Sequence, residues 1–254
     1  MSQQPVTVRG VTLGSGIPKI CVPLTGESQK ELLSQAEELR HLPADVAEWR
    51  SDWYKDISNP GAVKQTLRAL REELGNIPLL FTFRTAGEGG HQGISPDEYV
   101  SLLTMAVKTG CVDLVDTELF LGQEVFQPVL EAAHGSGVYV IASSHDFQET
   151  PEKSEMLDRL SRMEQWGADI AKLAVMPHDP EDVLALLEVT TEASSTLHIP
   201  LITMSMSGLG TVSRLSGEIF GSCMTFGSAG TSSAPGQVEV RKLSKVLEML
   251  HKAR

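Results

Sequence analysis

The chain alternates between two kinds of segment. A short run rich in valine, isoleucine, leucine or phenylalanine is followed by a longer stretch with apolar residues at helical spacing, and the pair recurs roughly every 30 residues. Eight runs read as strands: Lys19–Leu24, Val46–Asp52, Leu79–Arg84, Val112–Phe120, Gly137–Ser143, Asp169–Val175, Leu201–Met206 and Cys223–Gly227. A helical stretch follows each. Ser95-Pro96-Asp97-Glu98 places a capping serine, an N1 proline and first-turn acids ahead of Tyr99, Leu102, Leu103 and Ala106, and Gly110 stops that helix. Asp179-Pro180-Glu181-Asp182 and Thr150-Pro151-Glu152 predict two more helix starts, with negative charge where the helix dipole favours it.

Eight consecutive βα units without a linker predict an α/β fold, a closed (β/α)8 TIM barrel forming one domain over residues 1–254. A doubly wound sheet rarely needs so many equivalent units in a row. Ahead of the first unit, Val6 to Leu13 alternates around Gly10 and predicts a β-hairpin closing the barrel floor.

Composition narrows the function classes. A net charge of −12 repels nucleic acid and anionic membrane surfaces, so neither is an expected partner. A small anionic substrate stays compatible if arginines are focused in a cleft, and Arg50, Arg84 and Arg214 are the candidates. Cys21, Cys111 and Cys223 lie far apart with no CxxC pair, which predicts buried thiols in a reducing compartment. The N-terminus lacks a signal-peptide run, and no stretch approaches the ~18 consecutive apolar residues of a membrane span, so a cytoplasmic protein is expected.

In such barrels the active site forms at the C-terminal ends of the strands, so polar residues there carry the chemistry. Glu48 and Arg50 belong to the second strand, Arg84 ends the third, Asp116 and Glu118 interrupt the fourth, and His145 and Asp146 follow the fifth. Lys172 interrupts an otherwise apolar sixth strand, where an ammonium is costly to bury unless paired or neutral. A desolvated lysine near Arg50 and Arg84 can act as a nucleophile toward a ketone, and a strand-end lysine can equally snorkel to solvent. His145, at the end of the adjacent strand, offers a proton shuttle near neutral pH. Glu88, in Gly87-Glu88-Gly89-Gly90, can present a carboxylate to that imidazole; this glycine cluster lacks the pattern of a phosphate loop. The small polar stretch from Ser228 to Gln237 reads as a lid, a phosphate site or a plain connector. Histidine and cysteine spacing gives no metal motif, and the carboxylates of Glu48, Asp116 and Glu118 are expected to bond substrate or the arginines rather than an ion.

These residues carry a resemblance. Glu48-Trp49-Arg50, Phe81-Thr82-Phe83-Arg84 with Glu88-Gly89-Gly90, Ser144-His145-Asp146-Phe147, Asp169-Ile170-Ala171-Lys172, Thr203-Met204-Ser205-Met206, Ser213-Arg214 and Ser233-Ala234-Pro235-Gly236-Gln237 make the sequence similar to type I 3-dehydroquinate dehydratases over nearly its whole length. The resemblance implies a shikimate-pathway step in which 3-dehydroquinate condenses with Lys172. His145 then removes the acidified proton and protonates the departing hydroxyl in a syn elimination, giving 3-dehydroshikimate. It further implies that Glu88 supports His145 and that Arg214 pairs with the substrate carboxylate. Glu48, Arg50, Arg84, Ser233 and Gln237 would bind the ring's polar groups, with Met206 and Phe147 against its apolar faces. No diffusible cofactor and a homodimer are also implied.

Pro23, Gly208-Leu209-Gly210 and the lysine-poor Ser228-Ala229-Gly230-Thr231 depart from the family pattern and bear on substrate affinity and the lid, not on the covalent step. Two rivals use the same residues. A class I aldolase would share Lys172 but cleave a carbon–carbon bond, and a catalytically silent barrel would bind the keto acid as a sensor.

Overall fold

A computed structural model describes residues 3–230 and 235–254. The eight anticipated strands are β1 (Lys19–Leu24), β2 (Val46–Arg50), β3 (Leu79–Thr82), β4 (Leu114–Glu118), β5 (Tyr139–His145), β6 (Ile170–Val175), β7 (Leu201–Ser205) and β8 (Met224–Ser228). They run parallel in chain order from β1 to β7, and β8 lies against β1 with Met224 opposite Lys19. The seam between β7 and β8 is closed by a bridge from Leu201 to Ser222, where the Cys223 N–H donates to the Leu201 carbonyl at 2.7 Å. The result is the expected (β/α)8 barrel. A short β9 (Val238–Glu239) extends the pairing of β8 just past the candidate lid.

Helices α1 (Gln29–Leu39), α2 (Pro60–Leu74), α3 (Pro96–Val107), α4 (Gln123–His134), α5 (Lys153–Gln165) and α6 (Pro180–Thr196) follow the first six strands. The seventh helical stretch is broken into α7 (Thr211–Leu215) and α8 (Gly217–Phe220), and α9 (Val240–Lys252) follows β8 and β9. Ser95 and Glu98 form the full capping box at α3, and the Asp179 carboxylate accepts the Asp182 N–H at α6. The start predicted at Thr150-Pro151-Glu152 is late: α5 begins at Lys153, because the Thr150 hydroxyl donates instead to the Met176 carbonyl at 3.0 Å. The fourth strand is shorter than Val112–Phe120, since Leu119–Leu121 turns into a 3-10 helix, and β5 runs on to include His145.

Strand geometry makes side chains alternate between the barrel interior and the helix layer. Ala47, Trp49, Phe81, Val115, Val140, Ala171 and Leu173 belong to the outer core under the helices, while Val46, Leu80, Leu114, Ile141, Ile170 and Ile202 pack inside the barrel. Following the inner set upward by steps of two gives Val46-Glu48-Arg50, Leu80-Thr82-Arg84, Leu114-Asp116-Glu118, Ile141-Ser143-His145 and Ile170-Lys172-Ala174. The barrel is therefore oily at its floor and ionic at its mouth. Lys172 is an inward residue in the second layer.

The floor is sealed as expected. Strands Val6–Val8 and Val11–Leu13 pair antiparallel, and Val6, Val8 and Leu13 join the inner apolar cluster. Arg9 holds the hairpin in place by donating from Nε to Asp113 at 2.7 Å. A bracing pattern recurs around this rim. Asp45, Asp113 and Asp169, each just ahead of an even-numbered strand, accept from the backbone N–H of Ile20, Leu79 and Val140 in the preceding strand. Ser222 does the same for Thr203 ahead of β8. Each acceptor satisfies a backbone amide of the preceding strand and ties neighbouring strands in register.

Candidate active site

At the mouth a cavity of about 210 Å³ is lined by Lys172, His145, Glu88, Glu48, Arg50, Arg84, Arg214, Gln237, Met206 and Phe147. Those are the site residues expected from sequence, apart from Ser233, which lies outside the described residues. The volume is below the usual ligand-pocket range of roughly 300–1,000 Å³, so it suits one small compact ligand.

Lys172 Nζ sits 3.3 Å from Asp116 Oδ2, 4.0 Å from Glu48 Oε1 and 4.6 Å from the Phe226 ring centre. Its inward direction follows from the strand parity, and β6 pairing sets it beside Ser143 of β5 and Ile202 of β7. The snorkelling alternative does not hold: the side chain is 4% exposed.

His145 closes β5, and both its backbone N–H (3.0 Å) and its Nδ1 (2.8 Å) meet Glu88 Oε2. Burial, reinforced by the cations Arg84, Lys172 and Arg50, holds the imidazole well below its ordinary 6.5. Burial also pushes the Glu88 carboxyl up, to about 8, against the pull of Arg84. Both shifts oppose an imidazolium–carboxylate ion pair, so His145 is neutral at physiological pH. With Nδ1 engaged, Nε2 is the nitrogen left for a ligand.

The loop that carries Glu88 is shaped by close approach. A Cβ on Gly89, where φ is +79°, would fall 2.4 Å from the Phe147 ring, and one on Gly90 would fall 1.8 Å from the Arg84 carbonyl oxygen. The glycines let the chain pass between these groups and present Glu88 to His145. No phosphate cradle is needed to explain them.

The three arginines differ. Arg84 is turned onto protein: Nη1 donates to Glu118 (2.8 Å), Ser143 (3.0 Å) and Glu88 (3.3 Å), and Nη2 donates to Asp116 (2.9 Å). Arg50 is paired through Nε and Nη2 with Asp52, both at 2.8 Å. Arg214, on α7, has no carboxylate partner among the described residues. Its Nη2 donates to the Pro235 carbonyl at 3.0 Å, its Nη1 approaches the Met204 sulfur at 3.5 Å, and its Nε is buried without a partner there. Burial alone pulls it down to about 10. Ser213 fixes this segment by accepting the Ser205 N–H at 2.9 Å and donating to Gly210 at 2.7 Å. An unpaired buried guanidinium at a cavity wall is suited to an incoming carboxylate.

Asp116 and Glu118 accept from Arg84, as expected for carboxylates that bond the arginines, whereas Glu48 accepts from the Thr82 hydroxyl. Among the described residues no group of three or more histidine, cysteine or acidic side chains is placed to hold a metal ion. The departure at Pro23 does not line the cavity. Sequence reasoning missed Asp52, Ser143, Met204, Ala174 and Phe226. The steps of two that lead to Glu48 and Lys172 would have found the last four, since Phe226 follows Met224 and Met204 follows Ile202 inward. Asp52 ends the predicted second strand in the same series, but its partners at Arg84 and His91 lie far along the chain and are seen only in the structure.

The family model described as Type I 3-dehydroquinase matches residues 20–254. The chain is 48% identical over 252 residues to a 3-dehydroquinate dehydratase of Clostridioides difficile (strain 630), covering 99% of both chains. It is 48% identical over 248 residues to that of Bacillus licheniformis, covering 97% of this chain and 98% of the other. The crystal structure of the type I 3-dehydroquinate dehydratase from Clostridium difficile with covalent modified comenic acid superposes with a TM-score of 0.97 at 48% identity, over 99% of this chain and 100% of that one. The Enterococcus faecalis 3-dehydroquinate dehydratase gives 0.91 at 38% identity, over 96% and 99%. Sequence and fold coincide with those of these relatives over nearly the whole length, and the chain belongs to the type I 3-dehydroquinase family.

Proposed function

We propose that this protein dehydrates 3-dehydroquinate to 3-dehydroshikimate through an imine on Lys172, as a step of the shikimate pathway. The observation that carries the reading is the meeting, in one small cavity, of a buried lysine, a neutral histidine hydrogen-bonded to Glu88 and a buried arginine with no carboxylate partner among the described residues. The lysine amine adds to the ketone, and loss of water gives an iminium. That cation makes the adjacent C–H acidic. His145 Nε2 takes the proton, the electron pair moves into the iminium to give an enamine, and the enamine expels the hydroxyl as His145 returns the proton to it. Water departs, a carbon–carbon double bond remains, and hydrolysis releases the enone and free Lys172.

Arg214 takes the substrate carboxylate by two parallel N–H···O bonds, worth about 1.5–3 kcal/mol each as hydrogen bonds to a charged group. Glu48, Arg50, Gln237 and Ser233 hold the ring's polar groups, Met206 and Phe147 cover its apolar faces, and Glu88 orients His145. Arg84 lines the cavity and contributes chiefly by gathering Glu88, Asp116 and Glu118. The aldolase alternative is disfavoured by the hydrogen-bonded His145–Glu88 pair, which lines the same cavity as Lys172 and supplies the two proton transfers of an elimination. We take the chain to work as a one-domain cytoplasmic protein and, as the resemblance implies, as a homodimer without a diffusible cofactor.

The test is intact-protein mass spectrometry after treatment with borohydride and 3-dehydroquinate. Hydride reduction of the imine should leave a stable secondary amine that maps to Lys172, alongside ultraviolet absorbance from the conjugated product. A folded protein with neither adduct nor product would favour the sensor reading.

The state of His145 sets a pH expectation. The base must be unprotonated, and its depressed value means that it stays so as pH falls through 6.5. In the free enzyme kcat/KM should therefore be flat through that value and fall only in more acid solution. The stability linkage has the same sign: the contribution of neutral His145 is complete above the unfolded value and is lost as pH falls toward the folded one. An acid limb of kcat/KM centred at or above 6.5 would contradict this assignment.

A further inference from the structure

Arg50 ends β2 and Glu88 stands on the loop after β3, yet Arg50 and that loop are both tied to Asp52, a residue with no exposed surface. Asp52 Oδ1 accepts from Arg50 Nε at 2.8 Å and from the Arg84 backbone N–H at 3.3 Å, while Oδ2 accepts from Arg50 Nη2 at 2.8 Å and from the His91 backbone N–H at 3.0 Å. The Asp52 carbonyl also accepts from Gln92 Nε2 at 2.8 Å. His91 is stacked on Trp53 with ring centres 4.4 Å apart, so side chains as well as backbone join the two loops. The segment between Arg84 and His91 contains Glu88. Asp52 thus grips that segment at both ends, and with the same two oxygens it fixes the plane of the Arg50 guanidinium.

We infer that Asp52 is a positioning residue that aims Arg50 into the cavity and, through the Arg84 and His91 amides, holds the Glu88 loop against His145. The inference rests on the function proposed above. Geometry gives the reason for one carboxylate in this place. Its four donors come from three points of the chain, and a neutral amide has only one acceptor oxygen. The amide's NH2 group would face either the Arg84 amide or the His91 amide together with one Arg50 nitrogen, donor against donor. The coupling therefore needs the charge and both oxygens. Burial works against ionising Asp52, but the bonds from Arg50 and from the His91 and Arg84 amides more than offset it and hold the group below its ordinary value.

The experiment is a set of pH–rate profiles on the full chain for wild type, Asp52→Asn and Gln92→Ala, with borohydride trapping and thermal melts alongside. Wild-type turnover and a Lys172 adduct test the parent reading separately. If they are missing, that reading fails before Asp52 is judged. In Asp52→Asn, KM should rise at least tenfold as Arg50 loses its aim, and the acid limb should move up toward 6.5 as the loosened loop lets water reach His145. The adduct should still form. Gln92→Ala loosens only the loop, so its acid limb should shift in the same direction while KM stays within about twofold of wild type. A folded Asp52→Asn with KM and acid limb both unchanged would overturn the inference. If Asp52→Asn does not fold, an unmoved acid limb in Gln92→Ala overturns the loop coupling by itself.

Discussion

Replacing Lys172 with alanine should lower kcat for dehydration of 3-dehydroquinate by on the order of 10⁴-fold or more and abolish the borohydride adduct. Without the amine there is no iminium, and the proton beside a simple ketone is far less acidic than the proton beside a cationic imine. The size of the loss reflects the whole covalent route and not one hydrogen bond. The fold should survive, because Asp116 retains Arg84 Nη2 at 2.9 Å and the Ser143 hydroxyl at 2.7 Å after the lysine is gone. Circular dichroism and a melting curve establish that the variant is folded, and stopped-assay kinetics at saturating substrate measure the loss. Retention of more than about one per cent of wild-type turnover would place the nucleophile elsewhere.

The second large effect separates binding chemistry from proton transfer. His145→Ala should cost roughly 10²–10⁴-fold in kcat, the usual worth of a positioned acid–base group. Imine formation should continue, because Lys172 and Arg214 remain in place. Borohydride should then trap an adduct that retains the substrate hydroxyl, whereas wild type yields a mixture with the dehydrated form. The two differ by one water in mass. Should the histidine variant show neither adduct nor turnover, His145 would belong to condensation as well as elimination. Lys172→Ala and His145→Ala therefore fail at different points of one pathway, and their mass spectra tell them apart.

Much of the site was readable because the chemistry departs locally from the pattern that makes the fold. A lysine in an apolar parallel strand, a histidine at the end of the neighbouring strand and a glutamate between glycines are each visible without coordinates. The roles within the ionic set were less so. In the sequence nothing separates the roles of Arg84, at the end of the third strand, and Arg214, in the stretch after the seventh. Arg84 is surrounded by Asp116, Glu118 and Glu88, while Arg214 meets the sulfur of Met204 and a backbone carbonyl. One organises the protein and the other is free to receive an anion. Asp52 likewise read as the end of a strand, and its importance comes from the Arg84 and His91 amides more than thirty positions away along the chain.

By itself, the sequence determined the eight βα units, most helix starts, the floor hairpin and the ionic residues at the strand ends, while the family resemblance supplied the remaining expected cavity residues. The units, caps and hairpin follow from local spacing, from capping chemistry and from strand alternation, which act over a few residues. Tertiary structure decided the closing bridge between β7 and β8, the division of the seventh helix, the late start of α5 and which carboxylate meets which cation. Those outcomes depend on distances between groups far apart in the chain. In a buried site, a shift of about an ångström decides whether an opposite charge is paired or left available for substrate.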